Sequence, residues 1–318
     1  MKLGYLSLSE FCPNRCLACP CESSRRSNAQ ELDVERIFED IRRAEAEGGF
    51  DRLILSGGEP TCHSRFMAVM EFLGKRSFPV SLTTTSERFA EPTFLRDVLS
   101  VFPASRLSVT TALHSFDPVV HDAMTRTAGS FRRWLGGLLA LEAAGVSTTL
   151  KHLLSRPTIE DLSLFIDEYY RRFAPTTSIY LCGLDFSGMA AQNREQVFLT
   201  YPEIRDRLQP ALDVVLARRV VGDSRPVWVL DLPLCVVDAP YYQFFPAGGA
   251  ASGGLAFYDA PDHDVPLFGD KVPVRQTHPS EVCATCLKRD ACRGTWSSAL
   301  KCHASSEYRA VTEVVGHA

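Results

Sequence analysis

Leu53-Ile54-Leu55-Ser56-Gly57-Gly58-Glu59-Pro60 is an apolar run that stops on two glycines and a carboxylate. Large apolar residues in an unbroken row suit a strand buried in a sheet, and Gly-Gly ends it in a loop. On either side the period changes. Val34, Ile37, Phe38, Ile41 and Ala44 recur at helical spacing and close on Gly48-Gly49, and residues 66–73 are helical in pattern too. The unit is helix, strand, helix, and it repeats. Strands are expected over 3–8, 52–56, 80–84, 107–111, 146–153 and 178–182, with further helices over 94–101, 131–144 and 162–173. Thr158 and Asp161 read as a capping box ahead of the last helix. Six strands, each followed by a helix, predict an α/β fold with a parallel sheet and crossover helices. Periodicity does not distinguish an open doubly wound sheet from a barrel. Both place functional loops at the C-terminal ends of the strands, where residues 57–59 fall.

After about residue 195 the alternation stops. A helix over 201–219 leads to a short strand, 227–230, then to Gly/Pro-rich sequence over 246–254 and 261–273. The division expected is residues 1–195 as the α/β domain and 196–318 as a small loop-rich domain stapled by metal. The 318 residues suffice for that. A net charge of −4 gives no footing for nonspecific binding to nucleic acid or an anionic membrane. No stretch approaches the roughly 18 apolar residues of a membrane span, and the first residues reach Ser7 and Ser9 too soon for a secretory signal. A cytoplasmic location is expected.

Eleven cysteines then need a role other than disulfides, which a reducing compartment does not favour. Their spacing supplies one. Cys12, Cys16 and Cys19 form a C-x3-C-x2-C run on the loop after the first strand, with Cys21 just beyond. Cys283, Cys286 and Cys292 form a second set, C-x2-C-x5-C, followed by Gly294. Such grouping marks metal sites. Three close thiolates can hold three irons of a [4Fe–4S] cluster and leave the fourth open to a ligand. A zinc knob completed by Cys21, or a zinc ribbon in the second set, is the alternative, and would make this a zinc-stabilised binding or scaffold protein. Gly57 and Gly58 let a ligand approach the backbone, and Glu59 can accept hydrogen bonds from an ammonium group.

Taken together, the C-x3-C-x2-C loop and Gly57-Gly58-Glu59 some forty residues later resemble the radical S-adenosylmethionine (SAM) superfamily over roughly residues 3–195. The resemblance implies a partial (βα)6 TIM-like barrel. It implies a [4Fe–4S] cluster on Cys12, Cys16 and Cys19 that binds SAM, contacts from Gly57, Gly58 and Glu59 to SAM, and reductive cleavage to a 5′-deoxyadenosyl radical that abstracts a substrate hydrogen. A flavodoxin- or ferredoxin-type electron donor is implied as well. Residues 113–122 resemble the family's fourth strand end and following loop. Ala112 stands where a serine is frequent, and Thr85-Ser86 where an asparagine-glycine pair is common.

The second cysteine set resembles the SPASM and twitch extensions that carry auxiliary [4Fe–4S] clusters. Trp296 stands where the longer pattern has a cysteine, so one auxiliary cluster is expected, its fourth ligand Cys235 in preference to Cys302. Cys182, ending the sixth strand, is a candidate hydrogen-atom donor and otherwise a small core residue. His114, Lys151 and His152 end strands and are candidates to line the same cavity. Cys62 and His63 read as loop residues. The function implied is a biosynthetic oxidoreductase that dehydrogenates, epimerises or crosslinks a small polar molecule or a peptide. With eleven residues before Cys12, no fused peptide-recognition domain is expected, which favours the small molecule unless a partner chain supplies recognition.

Overall fold

The computed structural model describes residues 3–21, 31–46, 48–246, 276–277 and 280–312. Most of the Gly/Pro-rich stretch lies outside the described residues. The main sheet has seven parallel strands in sequence order: β1 (Leu3–Ser9), β2 (Arg52–Gly57), β3 (Val80–Thr83), β4 (Leu107–Ala112), β5 (Ser147–Leu153), β6 (Ser178–Cys182) and β7 (Val227–Leu230). Helices cross between them: α1 (Val34–Ala46), α2 (Phe66–Gly74), α3 (Pro92–Val101), α4 (Pro118–Thr125), α5 (Ser130–Ala143), α6 (Leu162–Arg172), α7 (Gly188–Gln192), α8 (Arg194–Val197) and α9 (Tyr201–Val220). The sheet is a partial barrel, open between β1 and β7, which do not pair.

Two points differ from expectation. The strand placed at the start of the second domain pairs in parallel with β6, Ile179 beside Val227 through Cys182 beside Leu230, so the barrel sheet has seven strands and not six. Helix α9 is its crossover. The capping box is also elsewhere: Thr158 pairs with Ser155 around a short 3-10 turn, and Asp161 starts α6 without a side-chain cap.

Each strand alternates, for a physical reason. One face packs on the helices: Leu6, Leu53, Leu55, Val80 and Leu82 bury against α1–α3, and Leu150, Ile179, Leu181, Val227 and Val229 against α5, α6 and α9. Each such side chain contributes about 1.5–3 kcal/mol by leaving water. The other face turns inward and is polar. Arg52 Nη1 donates to Ser81 Oγ at 3.0 Å and Ser108 Oγ at 3.2 Å, and the Thr149 and Ser178 hydroxyls meet at 2.8 Å. A parallel sheet covered on both faces reads as continuous apolar sequence; this one alternates because its inner face borders a cavity.

The C-terminal part adds β8 (Gln276–Thr277) paired antiparallel with β9 (Thr295–Trp296), and two single-turn helices, α10 (Ser280–Cys283) and α11 (Ser297–Leu300). The α11 segment folds back onto the barrel mouth, where Ala299 packs with Leu17, Leu184, Phe186 and Val197.

Candidate functional site

The C-terminal ends of the strands enclose a cavity of about 290 Å³. Cys12, Cys16 and Cys19 lie on its wall with Cys21, all half-buried, and Gly57 and Gly58 face them. The cysteine loop is held from three sides. Gly58 N donates to Ser9 O at 2.7 Å and Glu59 N to Phe11 O at 2.6 Å. Arg15 N and Leu17 N donate to the last carbonyls of α4, Thr125 O and Met124 O, at 2.9 and 2.8 Å. Asn193 Nδ2, beyond α7, donates to Leu17 O at 3.1 Å. The glycine pair has a reason the sequence did not show. A Cβ on Gly58 would stand 2.3 Å from Phe11 O, and one on Gly57, whose φ is +124°, 2.4 Å from Ser9 O. Both residues let the cysteine loop lie down on β2.

Glu59 is only 1% exposed and is not on the cavity wall. Its Oε1 accepts from Thr61 N at 3.1 Å, Thr61 Oγ1 at 2.6 Å and Thr84 Oγ1 at 2.6 Å; Oε2 accepts from Thr85 N at 2.6 Å. The carboxylate ties the loop after β2 to the loop after β3. There Ser86 takes the left-handed conformation, φ 60°, that glycine adopts at no steric cost. Thr84 and Thr85 line the cavity.

His114 and Lys151 are on the wall, as expected, and Ala112 with them; His152 is not. Strand alternation turns His152 outward, where it packs on Phe165 and its Nδ1 meets Leu113 O at 2.9 Å. His114 is 2% exposed, its Nδ1 has no hydrogen-bond partner, and its ring lies 5.3 Å from that of His121, also on the wall. Burial holds all three imidazoles neutral, His121 and His152 pushed down to about 4 and His114 well below its usual value. Cys182 is fully buried behind the wall, and burial pushes its thiol up to about 12, so it stays protonated. Cys62 and His63 are loop residues, His63 Nε2 lying 2.9 Å from Leu32 O.

Among the wall residues that sequence reasoning missed are Asp185 and Asp231 after β6 and β7, and Trp296 from the C-terminal segment. Ser298 fixes that segment, its Oγ donating to Asp185 Oδ1 at 2.6 Å and accepting from Phe186 N at 3.0 Å.

The second cysteine set surrounds a small pocket behind β7. Cys283, Cys286 and Cys292 line it with Cys235, which follows β7. Cys302 lies apart, packed with Trp296 at the barrel mouth. Leu234 N and Gly294 N each approach Cys292 Sγ at 3.3 Å, and Val311 N approaches Cys286 Sγ at 3.4 Å. Among the described residues no group of three or more His, Cys, Asp or Glu side chains is drawn to the separations of a metal centre. The fit therefore rests on the donors: two all-cysteine sets, one facing a cavity and one enclosed with backbone N–H groups on its sulfurs. The first suits an iron–sulfur cluster with an open position, the second a fully ligated one.

The radical SAM superfamily model matches residues 6–168 of the chain. A GTP 3′,8-cyclase of Ectopseudomonas mendocina is 24% identical over 70% of the chain, and a PqqA peptide cyclase of Ruegeria pomeroyi is 24% identical over 81%. The chain spans 66% and 65% of those two proteins' lengths. Streptococcus suis SuiB, solved bound to precursor peptide SuiA, superposes over 97% of the chain and 74% of its own, with a TM-score of 0.62 and 10% identity.

Proposed function

This chain belongs to the radical SAM superfamily, and from that premise we propose that it is an oxidoreductase that removes a hydrogen atom from a small polar molecule or a peptide in a biosynthetic modification. A [4Fe–4S] cluster and SAM are the family's cofactors; bound, they supply a 5′-deoxyadenosyl radical. Family membership sets aside the zinc scaffold.

One observation carries the reading. The C-x3-C-x2-C loop and the glycine pair, forty residues apart, meet on one wall of the cavity, joined by main-chain hydrogen bonds. In this reading Cys12, Cys16 and Cys19 hold the SAM-binding cluster. Gly57 and Gly58 offer backbone groups to SAM, and Glu59 holds their loop against Thr84 and Thr85. The cavity orients the substrate and excludes water.

The second part of the proposal is an auxiliary [4Fe–4S] cluster on Cys235, Cys283, Cys286 and Cys292, in a SPASM/twitch-like C-terminal domain with β7 counted in the barrel. The shared pocket supports Cys235 over Cys302 as fourth ligand. Only three residues separate Cys292 from Trp296 on the cavity wall. An electron acceptor so close to the substrate favours an oxidative outcome, dehydrogenation or crosslinking, over epimerisation with Cys182 as hydrogen donor. Reducing equivalents would come from a flavodoxin- or ferredoxin-type protein in a reducing cytoplasm, where cysteines held outside disulfides are at home. The names of the two relatives pull toward a nucleotide and toward a peptide, so a ribosomal-peptide maturase aided by a recognition partner is the second reading.

Anaerobic reconstitution tests this. About eight irons per chain are expected, about four after joint replacement of Cys12, Cys16 and Cys19, and 5′-deoxyadenosine on adding dithionite and SAM. Zinc in place of iron, or no SAM cleavage by an iron-loaded chain, overturns the reading.

A further inference from the structure

The small pocket behind β7 is charged in one sense. Besides Cys235, Cys283, Cys286 and Cys292, its wall carries Lys288, Arg289 and Arg309, and among the described residues no carboxylate. Arg309 is tied directly to a cysteine: its Nε and Nη2 donate to Cys235 O at 3.2 and 3.1 Å. A second arginine meets the same oxygen. Arg205, half-buried on α9, donates from Nη2 to Cys235 O at 3.4 Å and from Nε to Val236 O at 2.9 Å. Arg309 shares its charge with Asp238, 3.1 Å from Nη2, whereas Arg205 forms no ion pair among the described residues.

A cap explains one of these arginines. Cys235 sits in a 3-10 turn, Leu234–Val236, and a basic side chain commonly satisfies the carbonyls at such an end. One guanidinium, or a neutral amide, would suffice for that. Two on one oxygen repel each other, and the second is unfavourable unless negative charge stands close by. The sulfurs show where that charge belongs. Leu234 N and Gly294 N approach Cys292 Sγ at 3.3 Å, and Val311 N approaches Cys286 Sγ at 3.4 Å; N–H donors bind an ionised acceptor about twice as strongly as a neutral one. The same short segment does both jobs. Leu287 N donates to Val311 O at 2.9 Å, so the chain that brings Val311 to Cys286 also brings Arg309 to Cys235.

We infer that Arg205 and Arg309 are positioning residues for Cys235, and that their charge raises the reduction potential of the auxiliary cluster. This rests on the auxiliary-cluster reading above. A [4Fe–4S] core on four thiolates is anionic and gains negative charge on reduction. Fixed positive charge beside it stabilises the reduced form more than the oxidised one. The site is thereby set to take up an electron.

The experiment is an EPR-monitored redox titration of the full chain, reconstituted anaerobically. Joint replacement of Cys12, Cys16 and Cys19 shows which signal belongs to the second site. Glutamine at 205 or 309 keeps an N–H donor for the carbonyl and removes the charge. Arg205→Gln and Arg309→Gln should each lower the reduction equilibrium constant of that site about tenfold, about 59 mV for one electron, with iron content unchanged. Arg205→Lys and Arg309→Lys should bring the midpoint back toward wild type. Arg207→Gln is the control, since Arg207 is exposed on the same helix and pairs with Glu160 at 2.8 Å; it should leave the midpoint where it was. An unmoved midpoint in both glutamine variants at full iron load overturns the inference, as does an equal shift in the lysine and glutamine variants. Where a glutamine variant loses iron from the second site, retention by the lysine variant supports the role of charge, and loss from both overturns it. The two levels fail separately. A triple cysteine variant that holds no iron refutes the auxiliary cluster itself, whereas one that holds a cluster indifferent to both arginines refutes this inference alone.

Discussion

Replacing Glu59 with glutamine tests whether its carboxylate is a brace between loops or a contact to the ligand. Four donors converge on it, three at Oε1 and one, Thr85 N, at Oε2. Glutamine keeps an oxygen for the first three and turns an amide NH2 toward Thr85 N, donor against donor. The charge-assisted bond to Thr85 is lost at a cost of about 1.5–3 kcal/mol, and the three remaining bonds lose the help of a charge. A destabilisation of about 3 kcal/mol follows. Urea unfolding of anaerobic protein, with iron content matched, measures it. Because Thr84 Oγ1 shares the carboxylate, Glu59→Gln and Thr84→Val should be non-additive by about 1–2 kcal/mol in a double-mutant cycle. SAM affinity falls too, as a consequence of loosened loops. Unfolding free energy within about 0.5 kcal/mol of wild type, together with a SAM affinity reduced tenfold or more, would refute the brace and return the carboxylate to the ligand.

Cys235→Ala should lower iron by about four per chain, whereas Cys302→Ala should leave it unchanged, both read by iron and sulfide analysis. Gly58→Ala sets a Cβ 2.3 Å from Phe11 O, so the cysteine loop should detach from β2 and the SAM-binding cluster should fail to assemble while auxiliary iron stays; a full iron load would contradict the docking. His152 is buried neutral with its pKa depressed to about 4 by desolvation. The unfolded chain therefore binds more protons, and stability declines by about 1.4 kcal/mol per pH unit as pH falls from about 6.5 toward 4. His152→Leu should make that slope shallower in unfolding measured between pH 7 and 5, with His114 and His121, also depressed by burial, supplying the remainder. Under the oxidative reading Cys182→Ala should retain iron, SAM cleavage and product; loss of product alone would make that thiol a hydrogen donor.

Local pattern made the barrel readable as far as β6, because each strand carries its own apolar alternation and each helix its own period. The failures share a cause, contacts distant in sequence. Val227–Leu230 is four residues long and is followed by sequence rich in glycine and proline, so nothing near it says that its partner is β6. Asp231 was missed with it. The burial of Glu59 depends on Thr84 and Thr85, twenty-five residues on. Helix α4, read as loop, did carry a local signal, since Asp117 caps it through Val119 N at 2.8 Å and Pro118 opens it. The outward turn of His152 also follows from the period of two that places Lys151 inward.

The α11 segment has a consequence for the order of events in the cell. Trp296 and Ser298 complete the cavity wall and the hold on Asp185, yet they are synthesised after all seven barrel strands. A nascent chain that has folded its barrel already owns the cysteine loop and the glycine pair, but the wall that Trp296 completes is still missing. The cysteine loop and the residues that complete the cavity wall thus emerge at different moments of translation, with the latter second. A chain ending between residues 246 and 292 would carry the cysteine loop and the glycine pair but lack Trp296 of the cavity wall and Ser298, which holds Asp185.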